Sequence, residues 1–151
     1  MSAIVQKVNM LILMQPDIPK AIEFYQNLGL KLVFHIKDKW AEMQLGDIKI
    51  GLCPTDEKPD MLYRTGIVLQ TADMQAAYTQ LKDTVTFLSE PKEAIHGGMV
   101  SFQDPGNNVL DLYQPTPEKV IDLVKKTAEQ GEGAGCADTS RAGCCKNDGS
   151  C

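Results

Sequence analysis

No stretch of this 151-residue chain approaches the ~20 consecutive apolar residues of a membrane span; polar or charged side chains break every apolar run. The segment Met1–Met14 has one lysine and no small-residue cleavage site, so no secretory signal is expected. Basic clusters are also missing. Fifteen Lys+Arg stand against 20 Asp+Glu, for a formal charge of −5 and a pI near 5.0, which argues against a general nucleic-acid binder. Cysteine is scarce in the body of the chain, where Cys53 is alone, while Cys136, Cys144, Cys145 and Cys151 crowd the last 16 residues. An odd count of five without an export signal makes a disulfide scaffold a poor reading. What remains is a cytoplasmic protein directed at a small molecule. Its 43% hydrophobic and 23% charged residues are globular proportions, enough for one domain or two small modules sharing a core.

The chain repeats itself. Met10-Leu-Ile-Leu-Met14 reads as a strand, Asp17 as an N-cap with Pro19 in the first turn, and Ile18, Ala21, Ile22 and Tyr25 as a helical stripe that Gly29 ends. At an offset of 56 the pattern returns: Gly66–Gln70 as strand, Asp73 as cap, and Met74, Ala77, Tyr78 and Leu81 as stripe. At an offset of 60, Gly46–Leu52 matches Gly106–Leu112, each a turn feeding a strand. Strand-like segments lie between, Lys31–Lys37 and Trp40–Leu45 in the first half, Thr84–Ser89 and Gly98–Gln103 in the second. Each half is therefore a βαβββ unit. The units run over about 7–54 and 63–115, with Thr55–Leu62 as a polar linker. A third helix over about 117–129 follows, with Thr116 as cap, Pro117 at its first position and Val120, Ile121, Val124 and Ala128 as its stripe.

These markers are similar to the vicinal oxygen chelate superfamily, the group of glyoxalase I, bleomycin-resistance proteins, fosfomycin-resistance proteins and extradiol dioxygenases. The likeness is carried by Asp17…Ala21-Ile22-Glu23-Phe24-Tyr25…Leu28-Gly29-Leu30 and by Phe102-Gln103-Asp104-Pro105-Gly106-Asn107…Leu110-Asp111-Leu112. It implies an α+β fold, two βαβββ units forming a cupped mixed sheet of the glyoxalase/bleomycin-resistance type, plus the C-terminal helix. Residues 1–130 form this domain and 131–151 a Cys-rich tail. The resemblance further implies a small-molecule ligand on the concave side, a homodimer, and metal ligands on the first and last strands of each unit. Those positions are Met10, Gly51, Gly66 and Asp111. Only Asp111 can bind a divalent ion, whereas a catalytic metal takes about three protein ligands and an open position. No cofactor is expected in the cup, and glyoxalase, fosfomycin thiol-transfer and ring-cleaving chemistry are set aside together.

Period-two alternation from those positions extends the lining to Ile12, Met14, Lys49, Cys53, Val68, Gln70, Val109 and Tyr113. That is an apolar cavity with a few convergent polar groups, the usual make-up of a small-molecule site. Lys49 and Asp111 form its charged pair and are the candidates for acid–base work. The resemblance places the loop of His96 at the ligand mouth, where it reads either as a stacking ring or as a plain loop histidine, and Trp40 is expected either in the cup or at a dimer interface. His35 reads as structural or exposed, and Met10, Met14 and Met43 as adaptable cavity fillers.

The tail from residue 131 has no large apolar side chain, cannot offset its ordering entropy, and is expected to be disordered. Its C-x7-C-C-x5-C spacing differs from the C-x2-C pairs of structural zinc sites. Cys136, Cys144, Cys145 and Cys151 suit a soft ion, Cu(I), Cd(II), Hg(II) or As(III), with zinc a further possibility. A redox-responsive tail and a tail without function are the rivals. Three functions follow. The first is a small-molecule binder with a soft-metal tail. The second is a metal-independent lyase or isomerase using Asp111. The third is a heavy-metal or metalloid detoxification protein, although the adjacent pair Cys144-Cys145 is in the tail, whereas organoarsenical-processing relatives carry theirs in the domain.

Overall fold

The computed structural model describes residues 3–131. The first unit comprises β1 (Leu11–Gln15), α1 (Ile18–Asn27), β2 (Lys31–Ile36), β3 (Trp40–Leu45) and β4 (Ile48–Pro54). The second comprises β5 (Tyr63–Gln70), α2 (Met74–Leu81), β6 (Thr86–Phe87), β7 (Lys92–Ala94), β8 (Gly97–Gln103) and β9 (Asn108–Pro115), and α3 (Pro117–Gly131) follows. The strand orders are β1-β4-β3-β2 and β5-β9-β8-β6, with β7 also paired to β8. The outer pairs β1–β4 and β5–β9 are parallel and all others antiparallel. A parallel pair needs a crossover, and in each unit the helix begins that crossover.

Local chemistry sets the helices where the sequence places them. Asp17 Oδ1 accepts from Lys20 N at 3.0 Å, and Asp73 Oδ1 accepts from Ala76 N at 2.9 Å. Each satisfies one of the backbone donors that a helix start leaves without a partner. Ile18, Ala21, Ile22 and Tyr25 are all buried, as their spacing predicts. In the second unit the stripe is shallower: Met74 is buried, and Ala77, Tyr78 and Leu81 are half-buried.

The core is one cluster shared by both units. Leu13, Ala41, Met43, Ile50 and Leu52 from the first sheet join Val100, Phe102, Leu110 and Leu112 from the second. Phe24 and Phe102 meet across the units at a centroid distance of 6.1 Å. A buried polar joint sits beside them. Asp104, in the β8–β9 turn, accepts from Gln15 Nε2 at 2.5 Å and Tyr25 Oη at 2.7 Å. The same carboxylate takes the backbone N–H of Gly106 at 2.8 Å and of Asn108 at 2.9 Å. Asn108 Nδ2 in turn donates to Met14 O at 3.0 Å. The Asp-Pro-Gly-Asn turn thus fastens the second unit to the first strand of the first.

Three features depart from the sequence reading. The strand expected over Thr84–Ser89 shrinks to Thr86–Phe87, and the short β7 appears after Pro91, which has no N–H to give a ladder. In β5 the register with β9 jumps between Arg64 and Val68, and Gly66 sits in that irregularity at φ +73°. Gly66 is thus part of a bulge, which takes it out of simple inward alternation. Met43 is fully buried in the core against the helix layer, so it fills no cup. α3 is tied down at its start by the Lys119–Glu93 ion pair at 2.6 Å, and it extends to Gly131. Its stripe residues Val120, Ile121 and Val124 are exposed.

Candidate functional site

The face of each sheet turned away from the core carries the candidate residues. In β1, Leu13 and Gln15 are buried, and the alternate Ile12 and Met14 are 54% and 43% exposed. Register places Ile12 opposite Gly51 and Met14 opposite Cys53. Met10, just before β1, and Cys53 are partly buried, and Lys49 is exposed. In β3, Ala41 and Met43 belong to the core, so Trp40 and Glu42 share the face with Gly51. In the second unit Val68 stands opposite Asp111, and Gln70 opposite Tyr113. Val109 is buried there, and Val68 is 49% exposed. His96 immediately precedes β8: its ring meets that of Tyr113 edge-on at 5.2 Å, and its carbonyl accepts from Tyr113 Oη at 2.9 Å.

The charged groups fall into two separate sets. Lys49 faces Glu42, with Nζ–Oε1 at 3.8 Å. Asp111 Oδ1 accepts from Ser101 Oγ at 2.5 Å, and Ser101 is its register partner on β8. Lys49 and Asp111, the two candidates for acid–base work, thus have separate partners, Glu42 and Ser101. The arrangement is a swap between equivalent places. Glu42 lies across from Gly51 in the first sheet, and Ser101 lies across from Asp111 in the second. The first unit carries its carboxylate on the third strand, the second on the last.

Glu42 was missed from sequence. It is only 9% exposed, and among the described residues its carboxylate accepts no hydrogen bond. The alternation of Trp40, Glu42 and Gln44 against Ala41 and Met43 was the signal that could have found it. Trp40 has a defined place as well. A Cβ at Gly51 would come within 2.3 Å of the indole Cη2 and 2.4 Å of Cζ2, so the ring lies on this glycine.

The four positions at which a divalent ion would be held do not suit one. Met10 offers a thioether, Gly51 is covered by indole, Gly66 lies in the β5 bulge, and Asp111 is engaged by Ser101. Hard and borderline ions want several oxygen or imidazole donors around one point. Among the described residues no group of three or more His, Cys, Asp or Glu is placed to supply them. Cys136, Cys144, Cys145 and Cys151 lie outside the described residues. A polar groove of about 430 Å³, lined by Lys20, Glu23, Phe24, Lys58 and Gln103 among others, lies on the helix side and is separate from these faces. No helix of the described residues is long and apolar enough to cross a membrane.

Two modules, one βαβββ and the other the same with the extra short strand β7, are joined through one core into a paired-module α+β fold. The chain belongs to the glyoxalase/bleomycin resistance protein/dioxygenase superfamily, whose family model matches residues 7–112. Among solved structures it is similar to the genomically encoded fosfomycin resistance protein FosX from Listeria monocytogenes. The two are 17% identical with a TM-score of 0.65, over 79% of this chain and 98% of that one. It is also similar to a bleomycin resistance determinant encoded on the transposon Tn5 (21% identity, TM-score 0.57, 73% and 98% covered). A lactoylglutathione lyase from Agrobacterium tumefaciens matches at 13% identity and a TM-score of 0.61, with 74% and 96% covered. Among curated proteins, none matches the sequence.

Proposed function

We propose that the protein binds a small organic molecule on the cup faces through its own side chains, without a bridging divalent ion. The observation that carries this reading is the indole of Trp40 seated on Gly51, a position that the family resemblance gives to a metal ligand. Apolar contact comes from Ile12, Met14 and Val68, and polar contact from Glu42, Lys49, Gln70, Asp111 and Tyr113, with His96 beside Tyr113. Half-exposed apolar side chains on both sheets support closure of the cup by a second copy of the chain, since a monomer seldom leaves such faces to water. The chemistry of Cys136, Cys144, Cys145 and Cys151 suits them as ligands of a soft ion.

A second reading has one specific support. Ser101 holds one oxygen of Asp111, and the other takes no hydrogen bond from the described residues. That leaves a positioned carboxylate free to accept a proton, as a metal-independent lyase or isomerase requires.

Native mass spectrometry of the full-length protein, purified under reducing conditions, tests the binding reading. The expected result is a dimer of twice 16.6 kDa carrying an organic passenger. Asp111→Asn separates the two readings: a binder keeps its passenger, whereas an enzyme loses turnover and accumulates substrate. A divalent ion bound at one per chain through the domain would overturn both.

A further inference from the structure

α3 turns its apolar stripe away from its own domain. Every residue from Pro117 to Gln130 is exposed, including Ile121 at 53% and Val124 at 62%. Lys119, on the side of the helix opposite that stripe, reaches back to Glu93 of β7. The domain therefore holds the polar back of α3 and leaves its apolar face to solvent. An amphipathic helix is seldom left so, because burial of that face supplies most of its stability. Pro117, Ile121, Val124 and Ala128 are spaced by four, three and four residues, the spacing of the seam between two paired helices. Glu118 and Lys125 flank this seam on one side, Val120 and Thr127 on the other.

We propose that α3 is an interaction surface for a second copy of this chain, and that the two helices pair antiparallel. Charge sets the orientation. In an antiparallel pair each flank of the seam meets the same flank of the other helix. With Ile121 of one copy level with Val124 of the other, Glu118 of each copy comes to Lys125 of the other, and two ion pairs form. A parallel pair sets Glu118 and Lys125 against Val120 and Thr127 instead, and forms neither. The antiparallel arrangement presents one patch to itself, so it closes with two copies. A membrane surface suits this helix less well, because Lys119, Lys125 and Lys126 are balanced by Glu118, Asp122 and Glu129, leaving no net attraction to anionic lipid. The interface uses none of the cup residues and is separate from closure of the cup by a second copy.

Sedimentation equilibrium of the full-length protein under reducing conditions, over the micromolar range, tests the pairing. Glu118→Lys and Lys125→Glu each set like charges against one another across the seam, and each alone is expected to weaken self-association about five- to tenfold. An equimolar mixture of the two variants is expected to regain the parent's association constant, because the lysines of one then face the glutamates of the other. Val124→Asp is expected to abolish this association. Lysine and glutamate are both good helix formers, so circular dichroism of the two charge variants stays at the parent's value. Charge variants that associate like the parent, or a mixture no stronger than its components, overturn the antiparallel pairing. A parent that is still a dimer in that case leaves closure of the cup by a second copy standing. A parent that sediments as a monomer overturns both.

Discussion

Tyr25 and Asp104, 79 residues apart, are joined by a hydrogen bond of 2.7 Å from the phenol to the carboxylate. Tyr25 is fully buried and Asp104 is 2% exposed. The pair links the helix of one unit to the turn of the other. Tyr25→Phe removes one donor to a charged acceptor and is expected to cost about 2 kcal/mol. Asp104→Ala strands the donors of Gln15, Tyr25 and Asn108 and is expected to cost about 3 kcal/mol or more. Urea unfolding of both variants checks the order, and equal small losses would show that the joint contributes little.

The same tyrosine sets an alkaline limit. Burial first, then the charge of Asp104 and its hydrogen bond, raise the Tyr25 phenol far above its ordinary value of 10.0. Below pH 10 the phenol is neutral in both folded and unfolded chains, and its contribution is fully present. Above pH 10 the unfolded chain releases the proton and the folded chain keeps it, so stability falls as pH rises, by up to about 1.4 kcal/mol per pH unit. Urea midpoints between pH 9 and 11 are expected to fall more steeply for the parent protein than for Tyr25→Phe.

Gly46 and Gly106 occupy equivalent turns for different reasons. Gly46 has φ +57° with open space around it, and a Cβ at Gly106 would meet Met14 O at 2.4 Å and Gln15 Oε1 at 2.8 Å. Gly46→Ala is expected to cost about 1 kcal/mol through its backbone conformation alone. Gly106→Ala forces the joint between the units apart and is expected to cost about 3 kcal/mol. Thermal melting ranks the two, and the reverse order would contradict the packing described.

Gly51 and Trp40 are coupled through space. Gly51→Ala places a methyl where the indole lies and is expected to cost about 1–3 kcal/mol while shifting Trp40 emission. In a Trp40→Ala background the same change is expected to be nearly neutral, and the double-mutant cycle isolates the contact.

The repeat was legible because its punctuation is chemical: Asp17 and Asp73 as caps, and the two helical stripes at one offset. The Asp-Pro-Gly-Asn turn was legible as a motif, although its role as an inter-unit joint depends on Gln15 and Tyr25, which nothing in their local sequence pairs with it. The Gly66 irregularity escaped because a bulge changes register without changing composition. Met43 was assigned by residue type, and the strand alternation that places it in the core also places Glu42 on the open face. The swap of carboxylates between β3 and β9 needs both sheets in view. Strand pairing brings Lys49 to Glu42 and Ser101 to Asp111, and sequence distance carries no trace of either.

Chelation decides whether the cup binds its ligand without a bridging divalent ion. The full-length protein with Cys136, Cys144, Cys145 and Cys151 replaced by serine removes the tail thiols as a source of bound metal. This protein is loaded with its organic passenger, dialysed against EDTA, and examined by native mass spectrometry with elemental analysis. The passenger is expected to stay while metal falls well below one ion per chain. Loss of the passenger together with one divalent ion per chain would contradict it.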